Sequence, residues 1–323
     1  LDFREFTQKA RNGILGEEEK LRNGAHDMRV FVTGATGFVG SAVVQELIRA
    51  GHQVTGLARS EASAKSLAQT GAEVLQGDLT HLESLKAGAS ASDGVIHTGF
   101  VHDFARFKEV CEIDKNAIET MGAVLAGSKR PLIVTSGTAL VSPGRLATEE
   151  MVGTVSPEWP RVSEEVARSL IAKGVRASSI RLSPSVHGEG DHGFVPMLIA
   201  LAREKGVSAY IGEGKNRWSA VHRLDAAVLY RLALEKGCPD PQYHGVAEEG
   251  VAFRDIAGVI GKRLNIPVVS KSPDEVAEHF GWFARFAALD CPASNQLTQE
   301  RLGWQPSQPG LIGDVDHDYY FKK

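Results

Sequence analysis

Short apolar runs closed by Gly, Pro or Asp alternate along this chain with longer stretches whose apolar side chains return every three or four positions. Val30–Val32, the stretch around Val54, and residues 72–79, 93–100, 131–138 and 175–188 read as strands. Residues 41–48, 106–127, 197–205, 226–236 and 253–264 read as helices. Two later apolar runs, 242–246 and 267–270, add strands near the end. Strands that alternate with helices predict an α/β protein.

The first strand breaks into Thr33-Gly34-Ala35-Thr36-Gly37-Phe38-Val39-Gly40, three glycines spaced by two residues, and a helical pattern follows at once. Without a Cβ in the turn, a pyrophosphate can approach the backbone amides. The helix behind it presents free N–H groups and a partial positive charge to the same anion. A strand before, a helix after and a second strand at Val54 supply the context this motif requires. Gly34, Thr36, Gly37, Phe38, Val39 and Gly40 are therefore the expected cofactor contacts. The plain alternative is a tight strand-to-helix turn that binds nothing.

Length and charge narrow the picture. A chain of 323 residues with 42% hydrophobic content suffices for one large core or two coupled domains. A net charge of −4 gives no footprint for nucleic acid, and no apolar run is long enough to cross a bilayer. Cys111, Cys238 and Cys291 are far apart, and the eleven histidines form no ligand-spaced cluster. The expectation is a cytoplasmic protein with reduced thiols and no metal. Residues 1–27 are strongly charged and form an N-terminal extension, either appended or a docking helix using Phe3, Phe6, Ile14 and Leu15. Residues 28–323 lack repeats and low-complexity linkers, which predicts one interwoven unit: about 28–185 the dinucleotide-binding core, about 186–323 mostly substrate-binding.

Thr-Gly-x-x-Gly-x-x-Gly directly after the first strand resembles the extended short-chain dehydrogenase/reductases, which include the NAD-dependent epimerase/dehydratase group. The resemblance implies a Rossmann-type doubly wound parallel sheet with a smaller C-terminal substrate-binding region, and a homodimer as the assembly to test. NAD-selective members carry an acidic residue at the exit of the second strand; here Arg59 and Ser60 stand there. A guanidinium suits a 2′-phosphate, so NADP is favoured, with NAD the alternative. Asp78 and Leu79 match the family's adenine contacts, although Asp78 is equally suited to cap the next helix. Thr98 and Gly99 match the small residues under the nicotinamide ribose. Asn116 matches the Asn of the fourth helix, and Ser136 or Thr138 the catalytic Ser/Thr at the fifth strand's end. Pro184 and the Ser185–His187 backbone match the nicotinamide wall. Arg217 stands near an Arg that sugar-nucleotide members use for phosphate.

The chain also departs from its relatives. Their Tyr-x-x-x-Lys lets a Tyr of lowered pKa act as general acid or base. Aligning Ser163 with the family's Ser puts Pro160 at the Tyr position and Glu164 at the Lys position, and no Tyr occurs before residue 210. Either another group carries the proton (His187 first, then Glu164, His97, His222 and Asp191), or water does, or no turnover occurs. The leading expectation is an atypical NAD(P)-dependent oxidoreductase acting on a small carbonyl or hydroxyl compound. A dinucleotide-binding sensor or scaffold is the alternative from another class, and a non-redox isomerase or lyase a third. The aromatic segment from His279 to Phe286 reads as core or dimer contact rather than ligand box.

Overall fold

The computed structural model describes residues 27–322 apart from 154, 157–158 and 237–241. The extension's residues 1–26 and Cys238 lie outside the described residues.

The first strands are β1 (Arg29–Thr33), β2 (Gln53–Ala58), β3 (Glu73–Gln76), β4 (Gly94–His97), β5 (Pro131–Gly137) and β6 (Arg176–Leu182). Together with β10 (Gln242–Gly245) they form one parallel sheet in the order β10-β6-β5-β4-β1-β2-β3. Helices α1 (Phe38–Arg49), α2 (Glu61–Ala68), α3 (Leu82–Ala91), α4 (Phe107–Leu125) and α5 (Ser163–Ile171) connect the strands. This is the Rossmann-type α/β fold. The strand order reverses between β1 and β4, and a crevice opens there at the carboxyl ends of the strands.

Both faces of the sheet are covered, so central strands are apolar throughout rather than alternating. In β1, Val30 and Val32 join Leu47 and Tyr230 on one face, while Phe31 joins Leu85 and Met121 on the other. The edge strand β3 is mostly exposed, which explains its polar composition.

The C-terminal half adds β7 (Ser185–His187), which pairs with β9 (Arg217–His222) and, beyond it, β11 (Glu248–Ala252). A pair of short strands, β8 (Ser208–Ile211) and β12 (Val268–Lys271), packs with α6 (Phe194–Lys205) and α8 (Phe253–Leu264) around Trp218, Phe280 and Phe283. β10 comes from this half of the chain yet edges the main sheet. Helix α7 (Arg223–Lys236) likewise covers one face of that sheet and packs on α1. In the first turn of α7, Asp225 accepts the backbone N–H groups of Ser307 and Gln308 at 2.9 and 3.0 Å. It fastens the last segment of chain to the helix.

Candidate active site

The three glycines are required for three different reasons. Gly34 has φ +67°, and a Cβ there would lie 2.7 Å from the Gly99 nitrogen. At Gly40 a Cβ would lie 2.0 Å from the Gly34 carbonyl oxygen, so this glycine lets helix and loop close on each other. Gly37 is different: a Cβ would meet just the Gly34 oxygen, at 3.2 Å, and would project into open space. Gly37 is also the N-cap of α1, so it offers no side-chain acceptor, and the first turn holds no acidic residue. The first-turn amides are thus free of a side-chain cap, which is the donor set an anion such as pyrophosphate requires.

These residues open into a cleft of about 1320 Å³. Gly34, Thr36, Gly37, Phe38, Val39 and Gly40 line it, and so do Arg59, Asp78, Leu79, Thr98, Gly99 and Pro184. Thr98 donates its hydroxyl to the Thr33 carbonyl at 2.7 Å, pinning the exit of β4 to the glycine loop. Asp78 both lines the cleft and turns the chain into α3, accepting from the Thr80 N–H and hydroxyl at 2.7 and 2.6 Å. Those bonds hold its carboxyl below the usual range. Ser60 has a helix-capping contact instead: its hydroxyl accepts the Ser63 N–H at 3.2 Å and caps α2, and Ser63 rather than Ser60 lines the cleft.

At the other end of the cleft stands Ser136, at the carboxyl end of β5. Its hydroxyl hydrogen-bonds the Glu164 carboxylate. Burial opposes the charge on Glu164, but the fully buried Arg181 grips it with two bonds of 2.7 Å and keeps its pKa below the ordinary value. A carboxylate only accepts, so the Ser136 hydroxyl donates its hydrogen bond to Glu164 and keeps its lone pairs for another donor.

Arg161 lines the same wall. Its guanidinium donates to the Thr135 carbonyl and to the Ser163 hydroxyl, both at 2.9 Å, and lies 4.3 Å from the centre of the Phe100 ring. Behind it runs a buried chain of polar contacts. Ser163 donates to Asp114 at 2.5 Å, Asp114 meets His97 Nε2 at 3.1 Å, and His97 Nδ1 meets the Thr33 hydroxyl at 2.7 Å. Burial would raise the Asp114 pKa, but Arg161, His97 and Ser163 outweigh it and hold the carboxyl below the usual range. Sequence alone did not assign Arg161 or Asp114. The usable signal was a lone Arg beside the position where the Tyr is missing.

Several expected catalytic residues lie elsewhere. His187 is fully buried and faces away from the cleft; its Nδ1 contacts Asp314 at 2.8 Å. Within β7 the wall is made by Ser185 and Val186, and the contribution of the strand stops there: the next imidazole is taken up by Asp314, which arrives from the end of the chain. Thr138 is buried beside Ser219, 3.2 Å away, while Ser136, Gly137 and Ala139 line the wall. Asn116 is exposed on α4 and does not line the cleft; one half-turn earlier Asp114 faces inward. His97 and His222 are buried off the wall as well. Asp191 does line the cleft, with its carboxyl raised above the usual range by burial. Both its oxygens are engaged, one by the Gly193 N–H at 2.7 Å and one by the Tyr320 hydroxyl at 3.0 Å. None of the five tyrosines lines the cleft.

Fold and cleft together define a Rossmann-type protein whose glycine loop, between β1 and α1, opens into a large cleft. Residues 30–244 match the NAD dependent epimerase/dehydratase family, and the chain belongs to that family. An uncharacterized protein of Schizosaccharomyces pombe is 53% identical over 91% of this chain and 100% of its own length. The sterol-4-alpha-carboxylate 3-dehydrogenase (decarboxylating) of Dictyostelium discoideum is 28% identical over 70% of this chain and 73% of its own. A dTDP-glucose 4,6-dehydratase of Streptomyces venezuelae, solved with NAD bound, superposes with a TM-score of 0.72 at 18% identity. That superposition covers 90% of this chain and 95% of the other.

Proposed function

We propose that the chain is an NADP(H)-dependent oxidoreductase that interconverts a small carbonyl compound and its alcohol. The observation that carries the reading is one cleft with the uncapped α1 amides and Arg59 at one end and Ser136 with Arg161 at the other. The family, a dehydrogenase relative and a neighbour with bound NAD support a nicotinamide dinucleotide here. Arg59, in place of an acidic residue, supports the 2′-phosphorylated form.

When bound, the nicotinamide supplies hydride chemistry. The chain's own contribution is to hold the substrate oxygen. Ser136 offers it lone pairs, which suits an alcohol O–H. Arg161 offers N–H groups and a fixed positive charge, which suit a carbonyl oxygen gaining negative charge. Arginine does not give up its proton, so the oxygen is protonated by water entering through the open mouth of the cleft. Arg161 thereby replaces the electrostatic part of the missing Tyr and Lys.

Titration with NADPH and NADH, followed by nicotinamide fluorescence before and after a mixture of aldehydes and ketones, tests this. Tighter NADPH binding and loss of the signal on adding carbonyls are expected. Binding without oxidation by any carbonyl would replace the oxidoreductase with a sensor or a non-redox enzyme. Absence of binding would remove the cofactor.

A further inference from the structure

The substrate end of the cleft is walled by aromatic rings drawn from distant parts of the chain. Phe100 follows β4, Phe107 starts α4, Trp159 precedes α5, Phe194 starts α6, and Trp282 and Phe286 come from the C-terminal aromatic segment; all six line the cleft. Ring centres are 6.4 Å apart for Phe100–Phe107, 5.9 Å for Phe107–Trp159 and 5.9 Å for Trp159–Phe286. Phe286 then meets Phe194 at 4.8 Å and Trp282 at 6.1 Å. The arc is continuous, and most contacts are edge-to-face. Phe280 and Phe283 of the same segment are buried in the core, whereas Trp282 is 60% exposed, so core packing does not explain its place on the wall. Two arginines stack on the arc, Arg161 over Phe100 and Arg285 over Trp159, each 4.3 Å from the ring centre, and of these two it is Arg161 that lines the cleft.

We infer that this chamber takes a flat aromatic carbonyl compound, with its rings against the aromatic arc and its oxygen toward Arg161. The inference rests on the oxidoreductase reading for turnover, though not for binding. Aromatic rings prefer edges and offset faces of other rings, and such contacts add to the gain from burying apolar area. A sugar nucleotide needs the opposite: side-chain donors for hydroxyls and an available cation for its diphosphate. Arg217, the residue sequence comparison placed near that phosphate, does not line the cleft. Both of its arms are held by Asp290, at 3.0 Å each. Arg106 does line the cleft, but it is paired with Asp103 at 2.9 Å and Glu109 at 3.1 Å.

The test uses the full chain loaded with NADPH and compares 2-acetylnaphthalene, 2-dodecanone and UDP-glucose. Oxidation gives KM, and quenching of tryptophan fluorescence reads binding without turnover. The naphthyl ketone is expected to have a KM or Kd at least about tenfold below that of the aliphatic ketone. Phe286→Ala is expected to erase most of that difference while leaving the NADPH Kd unchanged, with Trp159→Leu as a second variant should the first unfold. UDP-glucose should not displace the naphthyl ketone. Equal affinity for the two ketones, or displacement by UDP-glucose, overturns the inference. If the naphthyl ketone binds but no carbonyl is reduced, the chamber stands and the oxidoreductase reading falls.

Discussion

His97 and Asp114 meet behind the cleft with Nε2 and Oδ1 3.1 Å apart, each side chain at most 2% exposed. The pair links the glycine loop, through Thr33, to the cleft wall, through Ser163 and Arg161. A buried carboxylate with a cation on its far side is held in place by charge as well as by hydrogen bonds, and so holds Arg161 in place in turn.

Asp114→Asn is therefore expected to destabilise the fold by about 3 kcal/mol, since it leaves Arg161 without its counter-charge. The folded Asp114 carboxyl has a pKa below its unfolded value of about 3.9. Its stabilising contribution is complete above that value and is lost as the pH falls through the lower folded one. Thermal unfolding across pH 2–6 should show a shallower acid limb in the variant than in the natural chain. An unchanged limb would mean that Asp114 contributes no linked stability.

Arg161→Met should lower kcat by roughly 100-fold, the scale of losing one oxyanion donor, with the NADPH Kd unchanged. Steady-state kinetics beside a binding titration would separate the two. A loss confined to KM would make Arg161 a binding residue alone.

His187→Ala should leave kcat within a few-fold of the natural value, because the imidazole faces Asp314 and not the cleft. The variant is expected to unfold more easily, by about 2 kcal/mol, since buried Asp314 loses one of its hydrogen bonds and keeps those from Tyr319 and Tyr320. Loss of turnover in a variant that still melts cooperatively and binds NADPH would return His187 to the catalytic set.

Gly37→Ala and Gly40→Ala should part company. At Gly37 the new methyl occupies the space meant for phosphate, so NADPH affinity is expected to fall at least about tenfold with little change in melting temperature. At Gly40 the methyl collides with the Gly34 carbonyl, so the melting temperature itself should drop by roughly 4 °C or more. Equal effects on both quantities would argue against a phosphate over Gly37.

Arg59→Ser should weaken NADPH about tenfold and leave NADH nearly unchanged, and the NADPH preference should shrink as salt rises. Competition titrations at two ionic strengths measure both.

What the sequence determined by itself was local. The turn before α1 needs Gly at three spaced positions, the strands need short apolar runs, and the exit of β2 carries Arg59; each is a property of neighbouring residues and survives any rearrangement at long range. Direction was decided by the tertiary structure. Ser185 and Val186 of β7 reach the cleft and His187 does not, because Asp314, 127 positions further along the chain, meets that imidazole in the interior. Two positions along a helix turn a side chain by about 200°, which separates Asp114, facing His97, from Asn116, facing solvent. Arg161 had one local signal, its place beside Pro160, but the aromatic arc had none, because what gives it a role is the meeting of residues 100, 107, 159, 194, 282 and 286 around one cleft. Only packing brings those positions together, since each ring was as suited by composition to the core as to the wall.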